Sequence, residues 1–165
     1  MAETTNISLS RALKLKNRVV HRLSQLDSQI VAYNSALEDH HEYDVRILYK
    51  ARMTLAEQLV QLKVSISSAN EPIQGFIFEV AECKALAAML ATVNTKHGPI
   101  YEGYPSVRMN YVAQFRKPEI DREIRRVEKE IDRLQDALDA YNHRIQIVVI
   151  ASLLADSELP PDAIR

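Results

Sequence analysis

The sequence predicts a mainly helical protein, and three observations support this prediction. Apolar residues recur at alternating steps of three and four along more than half of the chain, the spacing that places them on one face of an α-helix. Only three glycines occur in 165 residues, so few tight turns are expected. A period of two, typical of a strand, is confined to about residues 107–116. We therefore expect a long antiparallel helical hairpin, a shorter helix, a long C-terminal coiled-coil-like helix and a small β element, assembled as an oligomer.

The first two predicted helices cover residues 9–37 and 44–70. Ser8 and Asp44 are suitable N-caps, and the polar segment 38–43 connects the helices. A connection of about six residues favours antiparallel packing. Lys16 is the charged residue in the first apolar seam, where we expect it to fix register or face a partner carboxylate; the alternative is that it marks a site. The seam residues that we expect to support assembly are Leu23, Leu26, Ile30, Leu55, Leu59 and Leu62.

The middle of the chain has shorter elements. Pro72 breaks the second helix, and residues 73–78 are either a strand or the beginning of a shorter helix, predicted over 79–93. Glycines and prolines indicate a loop over 94–105. The strand at 107–116 needs a partner for its backbone hydrogen bonds. The candidates are residues 73–78 or the same strand in another copy of the chain.

The last predicted helix covers residues 118–150 and has the most regular heptad seam. Its length is about 50 Å, more than the width of a compact domain of this size. Part of its seam therefore needs a second subunit. We expect one helical domain over 1–155 and a flexible tail over 156–165. The interface residues expected on this helix are Ile124, Val127, Ile131, Leu134 and Leu138.

Composition narrows the classes of partner and compartment. The net charge is −1, so no binding of a nucleic acid polymer is expected. Cys83 is the single cysteine, which excludes an internal disulfide and fits a reducing compartment. Residues 1–10 lack the pattern of a secretory signal, and the apolar run 145–155 is too short to span a bilayer. We expect a cytoplasmic protein, in which this run is either interface or membrane contact.

Four segments carry a resemblance to a known family. They are Leu9-Ser10-Arg11-Ala12-Leu13 with Asn17-Arg18-Val19, then Ile66 to Asn70, the helix Glu79 to Leu86, and finally Asn110-Tyr111-Val112 with Pro118-Glu119-Ile120 and Leu134 to Asn142. Together they resemble the septicolysin-like family of small uncharacterised bacterial helical proteins. The resemblance implies a mostly helical fold that assembles into a ring, as a hexamer, without an established activity. This chain has His143 where that family has a tryptophan.

No local motif for catalysis is found. Glu38-x-x-His41 has the spacing used by di-iron helical bundles, but such a site needs two copies of the motif and two further glutamates. Cys83 is expected on the inward face of a helix, as a buried and inert thiol. We therefore predict no enzyme, no catalytic residue, no metal and no cofactor.

Charged and aromatic residues suggest two further roles. The first helix begins with basic residues, and the later part of the last helix is acidic. We expect this complementary charge to select the orientation and the partner of the helices. The alternative is that the basic residues bind an anionic ligand. Cations and aromatic rings also cluster around the predicted strand, where rings can stack on a base and guanidinium groups can bind phosphate. The alternative is that the rings fill a small core and the cations are solvated. The candidate ligand-binding residues are Lys96, His97, Arg108, Tyr111, Arg116 and Lys117.

The function predicted first is a non-enzymatic, homo-oligomeric helical scaffold or interaction protein. The alternative is an oligomeric binding protein that sequesters a small anionic ligand, such as a nucleotide, at the basic and aromatic strand and loop.

Overall fold

The computed structural model describes residues 3–35 and 42–155. Within these residues the protein is mainly helical, with small antiparallel sheets. One compact unit combines the described residues up to Pro72 with those from Ala140 onward, and the other is Ile73–Asp139. The elements in chain order are β1 Thr4–Ser8, α1 Leu9–Tyr33, α2 Val45–Asn70, α3 Gln74–Thr92, β2 Gly98–Glu102, β3 Val107–Tyr111, α4 Lys117–Arg144 and β4 Gln146–Ile150.

Helices α1 and α2 of the first unit run antiparallel, as the sequence predicts. The ring of Tyr33, at the end of α1, lies 4.6 Å from the ring of Tyr43, just before α2. Further from this connection, Arg52 of α2 donates to the carboxylate of Asp27 in α1 at 2.9 Å. Partners on the two helices thus progress in opposite directions. Asp44 caps α2 as predicted, because its carboxylate accepts from the backbone N–H groups of Arg46 and Ile47 at 3.0 and 3.4 Å.

Strands β1 and β4 form a two-stranded antiparallel sheet in the first unit, which the sequence did not predict. Residues 146–150 were assigned to the last helix, and that assignment is wrong. They contain four β-branched residues in five positions, and they pair with the N-terminal strand in a register that places Ile7 opposite Ile147. Both of these side chains are buried. A partner about 140 residues away leaves no trace in the local periodicity.

The core of the first unit lies between α1, α2 and this sheet. Leu9 and Leu48 are fully buried, and the apolar face of β4 packs on the same cluster. The last turn of α4 is attached to the end of α2, where the Tyr141 hydroxyl donates to the Ala69 carbonyl at 2.9 Å. That carbonyl lies in the last turn of α2, where the helix itself supplies no N–H partner.

The second unit contains α3, the β2–β3 hairpin and α4 up to Asp139. Its core includes Leu90 of α3 with Ile120 and Val127 of α4. Helix α3 begins at Gln74, directly after a 3-10 turn at Glu71–Ile73. Residues 73–78 are therefore the beginning of the shorter helix, and the strand alternative is wrong.

The β2–β3 hairpin corrects the predicted loop. Strand β3 ends at Tyr111 rather than at residue 116, and its mate is β2, within the segment predicted to be a loop. Of the two mates proposed from the sequence, residues 73–78 are wrong because they are helical, and pairing with the same strand of another copy stays a prediction. The chain reverses at Gly103, whose φ of 86° suits a residue without a side chain. The glycines and prolines that indicated a loop instead begin and close a hairpin.

Helix α4 has the predicted heptad seam, but one of its two rows is better covered than the other. Ile120, Val127 and Leu134, at every seventh position, are at most 3% exposed. Ile124, Ile131 and Leu138, between them, are only half-buried. The helix ends at Arg144, before the predicted end at 150. Among the described residues, no helix combines the length and apolar character that crossing a bilayer requires.

Candidate functional site

Lys96, Glu102 and Tyr111 form a contact cluster on one face of the β2–β3 hairpin, here called the hairpin cluster. The Lys96 ammonium is paired with the Glu102 carboxylate and lies 5.3 Å from the centre of the Tyr111 ring. The Tyr111 hydroxyl donates to the other oxygen of Glu102 at 2.6 Å. The alternation of the strands explains the arrangement, because Glu102 and Tyr111 point to the same face of the two-stranded sheet.

The electrostatics of the hairpin cluster follow from these contacts. Hydrogen bonds from Lys96 and then Tyr111 lower the pKa of Glu102. The hydrogen bond to Glu102 raises the pKa of Tyr111, and the same carboxylate raises the pKa of Lys96. At neutral pH the cluster is therefore a lysine cation, a carboxylate and a neutral phenol. Its net charge is zero.

The other predicted ligand residues are distributed around this cluster. Arg108 is directly opposite Tyr101 in the register, on the face of the sheet away from Tyr111. Lys117 pairs with Asp121 in the first turn of α4. His97 accepts from the backbone N–H of Ala113 at 3.3 Å.

Arg116 lies just before α4, where its backbone N–H donates to the Glu119 carboxylate at 2.9 Å. Of the six predicted ligand residues, the structure brings Lys96 and Tyr111 into direct contact. Glu102 completes the cluster and was missed from the sequence. Its signal was its position across the hairpin from Val107, on the same face of the sheet as Tyr111, which is visible only once the hairpin register is known. An anionic ligand at Lys96 would have to displace this carboxylate.

The sequence offered two other residues or motifs with possible chemistry, the Glu38-x-x-His41 motif and Cys83. Glu38 and His41 lie outside the described residues. Within residues 3–35 and 42–155, no group of three or more His, Cys, Asp or Glu side chains is placed to hold a metal ion. Cys83 is half-buried and packs on the core of the second unit.

Most of the predicted interface residues are covered within the chain itself. Leu26, Leu55, Leu59 and Leu62 are at most 6% exposed, and Leu23 and Ile30 pack against the same core. Val127 and Leu134 are at most 2% exposed. The packing of these side chains therefore needs no second copy. Contacts with a partner would instead use the half-buried row Ile124, Ile131 and Leu138 of α4, or residues outside the predicted interface set.

Helix α3 exposes an apolar stripe formed by Phe78, Ala81, Ala85 and Met89, here called the α3 stripe. Phe78 is 61% exposed and Met89 is 50% exposed. Steps of three and four place these residues on one face. At 100° per residue, this face is opposite the one that carries the buried Val80 and Leu90.

Leu86 is 39% exposed at the border of the α3 stripe. The helix also contains several alanines, whose small side chains would let a neighbouring helix approach closely. The sequence predicted Cys83 on the inward face of α3 but did not identify the exposed face, because apolar residues lie on both sides of this helix and only Glu79, Glu82 and Lys84 are charged. A helix with two apolar faces, of which one is covered, is typical of a contact surface.

Comparison with known proteins adds no relative. No family model, no curated protein and no solved structure matches the chain. The resemblance to the septicolysin-like family therefore remains a hypothesis based on the segments quoted above.

Proposed function

We propose that this protein is a non-enzymatic helical scaffold that assembles from copies of itself through the α3 stripe. The observation that carries the proposal is the exposure of Phe78 and Met89 on a helix whose opposite face is already packed. Large apolar side chains held together on a surface favour association, since covering them removes apolar area from water.

The expected driving force can be worked from exposure. Full burial of a Phe or Met side chain stabilises by about 1.5 to 3 kcal/mol. About half of each side chain is already covered, so a partner would gain roughly 1 kcal/mol from each. The alanines between them let a neighbouring helix approach closely. The half-buried row Ile124, Ile131 and Leu138 of α4 adds apolar surface in the same unit.

The number of copies is proposed from the resemblance, which implies a ring of six. A hexameric scaffold would use the α3 stripe as one of its contacts, with specificity set by the fit of side chains rather than by a catalytic site. The absence of a local catalytic motif in the sequence agrees with this role.

The test replaces Phe78 with glutamate. Phe78→Glu should lower the molar mass measured by light scattering and sedimentation, because a charge cannot be buried unpaired in an apolar contact. The matched control is Val60→Glu on α2, since Val60 is 60% exposed and lies outside the α3 stripe. This control should keep the wild-type mass. A Phe78→Glu protein with unchanged mass would refute the role of the stripe, and circular dichroism would show that both variants are folded.

A second candidate function is the binding of a small anion such as a nucleotide. One observation favours it. Arg108 and Tyr101 are both exposed and lie opposite each other, on the face of the hairpin away from Tyr111. Among the described residues, Arg108 has no ion pair. Calorimetry against a nucleotide panel tests it. Binding heat should disappear in Arg108→Ala and persist in Lys117→Ala, whose cation is already paired. No heat for the wild type would exclude this function.

A further inference from the structure

Within residues 3–35 and 42–155, the backbone groups on the outer edge of β4 have no hydrogen-bond partner. Two hydrogen bonds define the pattern of the β1–β4 sheet, from the Leu9 N–H to the Ile145 carbonyl at 2.8 Å and from the Ala151 N–H to the Glu3 carbonyl at 2.9 Å. In an antiparallel pair, bonded positions alternate with positions whose N–H and C=O point away from the partner strand. The outward positions on β4 are therefore Gln146, Val148 and Ile150.

A groove borders β4 on the side of α2. Its volume is about 200 Å³. Thr4 of β1 and residues 148–150 of β4 line it on the side of the sheet. Leu62 and Leu153 supply further apolar surface, and α2 supplies the polar side chains of Gln58, Gln61 and Ser65. The lining contains no charged residue. These walls offer no partner for a charge, so a segment that borders this groove is expected to be uncharged.

Strand β4 also lacks the features that protect natural sheet edges from further pairing. Its sequence, Gln-Ile-Val-Val-Ile, has no lysine, no proline and no charge, and its register with β1 is uninterrupted by a bulge. Val148 is 56% exposed although it lies in the middle of the strand. Such a segment is a good template for another strand of the same kind.

We propose that β4 pairs with β4 of a second copy, antiparallel and about a two-fold axis at Val148. This register places Val148 opposite Val148, and Gln146 opposite Ile150. All three are outward positions, so every outward N–H meets an outward C=O. The neutral groove matches the neutral strand in charge. The product is a four-stranded sheet in the order β1, β4, β4 of the partner and β1 of the partner.

The symmetric register is preferred over pairing of β4 with the outer edge of β1. The β1 edge carries Thr4, Asn6 and Ser8, and the Ser8 hydroxyl already accepts from the Arg11 N–H at 3.3 Å. Pairing of unlike edges is heterologous and closes only when the rotation allows a ring. The β4 pair is isologous and closes with two copies. This contact uses the first unit and does not depend on the α3 stripe.

The first test uses Phe78→Glu as the background, so that contacts through the α3 stripe are weakened. In this background the chain should sediment as a dimer. Adding Val148→Pro should weaken that dimer at least tenfold, because proline lacks the outward N–H. The intrachain pairing with β1 does not use this N–H and should remain. Val148→Thr keeps both the N–H and the branched side chain, so it should keep the dimer.

The second test is a crosslink. Paired Val148 positions would have Cα atoms about 5.5 Å apart, within the range of a disulfide. Val148→Cys with Cys83→Ser should therefore form a covalent dimer on oxidation, and Val60→Cys in the same background should not. A monomeric Phe78→Glu chain, a dimer that survives Val148→Pro, or equal crosslinking of the two cysteine variants would overturn the β4 pairing. None of these results would decide whether the α3 stripe is a contact, which the mass change between wild type and Phe78→Glu measures.

Discussion

Replacement of Leu134 by alanine separates packing within the chain from packing between chains. Leu134 is 1% exposed in a single copy, although its heptad position predicted an intersubunit contact. Leu→Ala changes at fully buried sites cost about 2.7 to 5 kcal/mol, because the lost transfer energy is joined by the cost of a cavity. We expect a loss of about 3 kcal/mol for Leu134→Ala, or roughly 6 to 12 °C in Tm for a chain of this size.

The matched control is Leu138→Ala, one step further along the same seam. Leu138 is only half-buried, so less contact is lost and the neighbouring side chains can relax. We expect a loss of about 1 to 1.5 kcal/mol, at most half of the loss at Leu134. The two variants share the same helix, the same residue type and the same substitution. They differ only in how deeply the leucine is buried.

The assay is urea unfolding followed by far-UV circular dichroism at two protein concentrations that differ 50-fold. Because Leu134 is buried within one copy, the loss relative to wild type should be equal at both concentrations. A dimer gains about 2.3 kcal/mol of apparent stability from mass action when its concentration rises 50-fold. If Leu134 instead packed in a dimer interface, the alanine variant would lose this gain, and its loss relative to wild type would depend on concentration. A loss below 1 kcal/mol, or one that varies with concentration, would refute the assignment of Leu134 to the core of a single chain.

Two further predictions concern hydrogen bonds. Tyr141→Phe should cost about 1 kcal/mol in urea unfolding, because it leaves the Ala69 carbonyl without its partner; no measurable loss would show that water replaces the hydroxyl. Glu102→Gln should lower the alkaline titration midpoint of Tyr111, followed by NMR, since the carboxylate that raises its pKa is removed. The pKa of Glu102 is itself lowered, so its stabilisation of the hairpin is present above the usual carboxyl pKa and is lost as pH falls through the lowered value. Unchanged Tyr111 titration in Glu102→Gln would contradict the contact.

The helices were the predictable part of the fold. The seams and caps predicted α2 to within a residue of its observed bounds and the beginning of α1 at Leu9, because helical periodicity is repeated over many turns of local sequence. A strand was predicted over 107–116 from its period of two, and the structure forms it over Val107–Tyr111. Its mate was not predicted, since a glycine and proline segment looks like a loop until its pairing is known.

The candidate site was less predictable than the helices. Lys96 and Tyr111 were selected by residue type, and the structure joins them through Glu102, whose role depends on the hairpin register. Arg108 was grouped with Tyr111 because both lie on one strand. Three residues of separation put them on opposite faces of the sheet.

The amino-acid sequence alone determined that this protein is built from long amphipathic helices, since that information repeats every three or four residues. Tertiary structure decided which apolar faces are buried by packing within the chain. It covers Leu134 and leaves Phe78 exposed, and it converts the end of the predicted last helix into β4 by supplying a strand from the other end of the chain. Local periodicity reports that a face is apolar, but only the arrangement of distant segments determines what covers it.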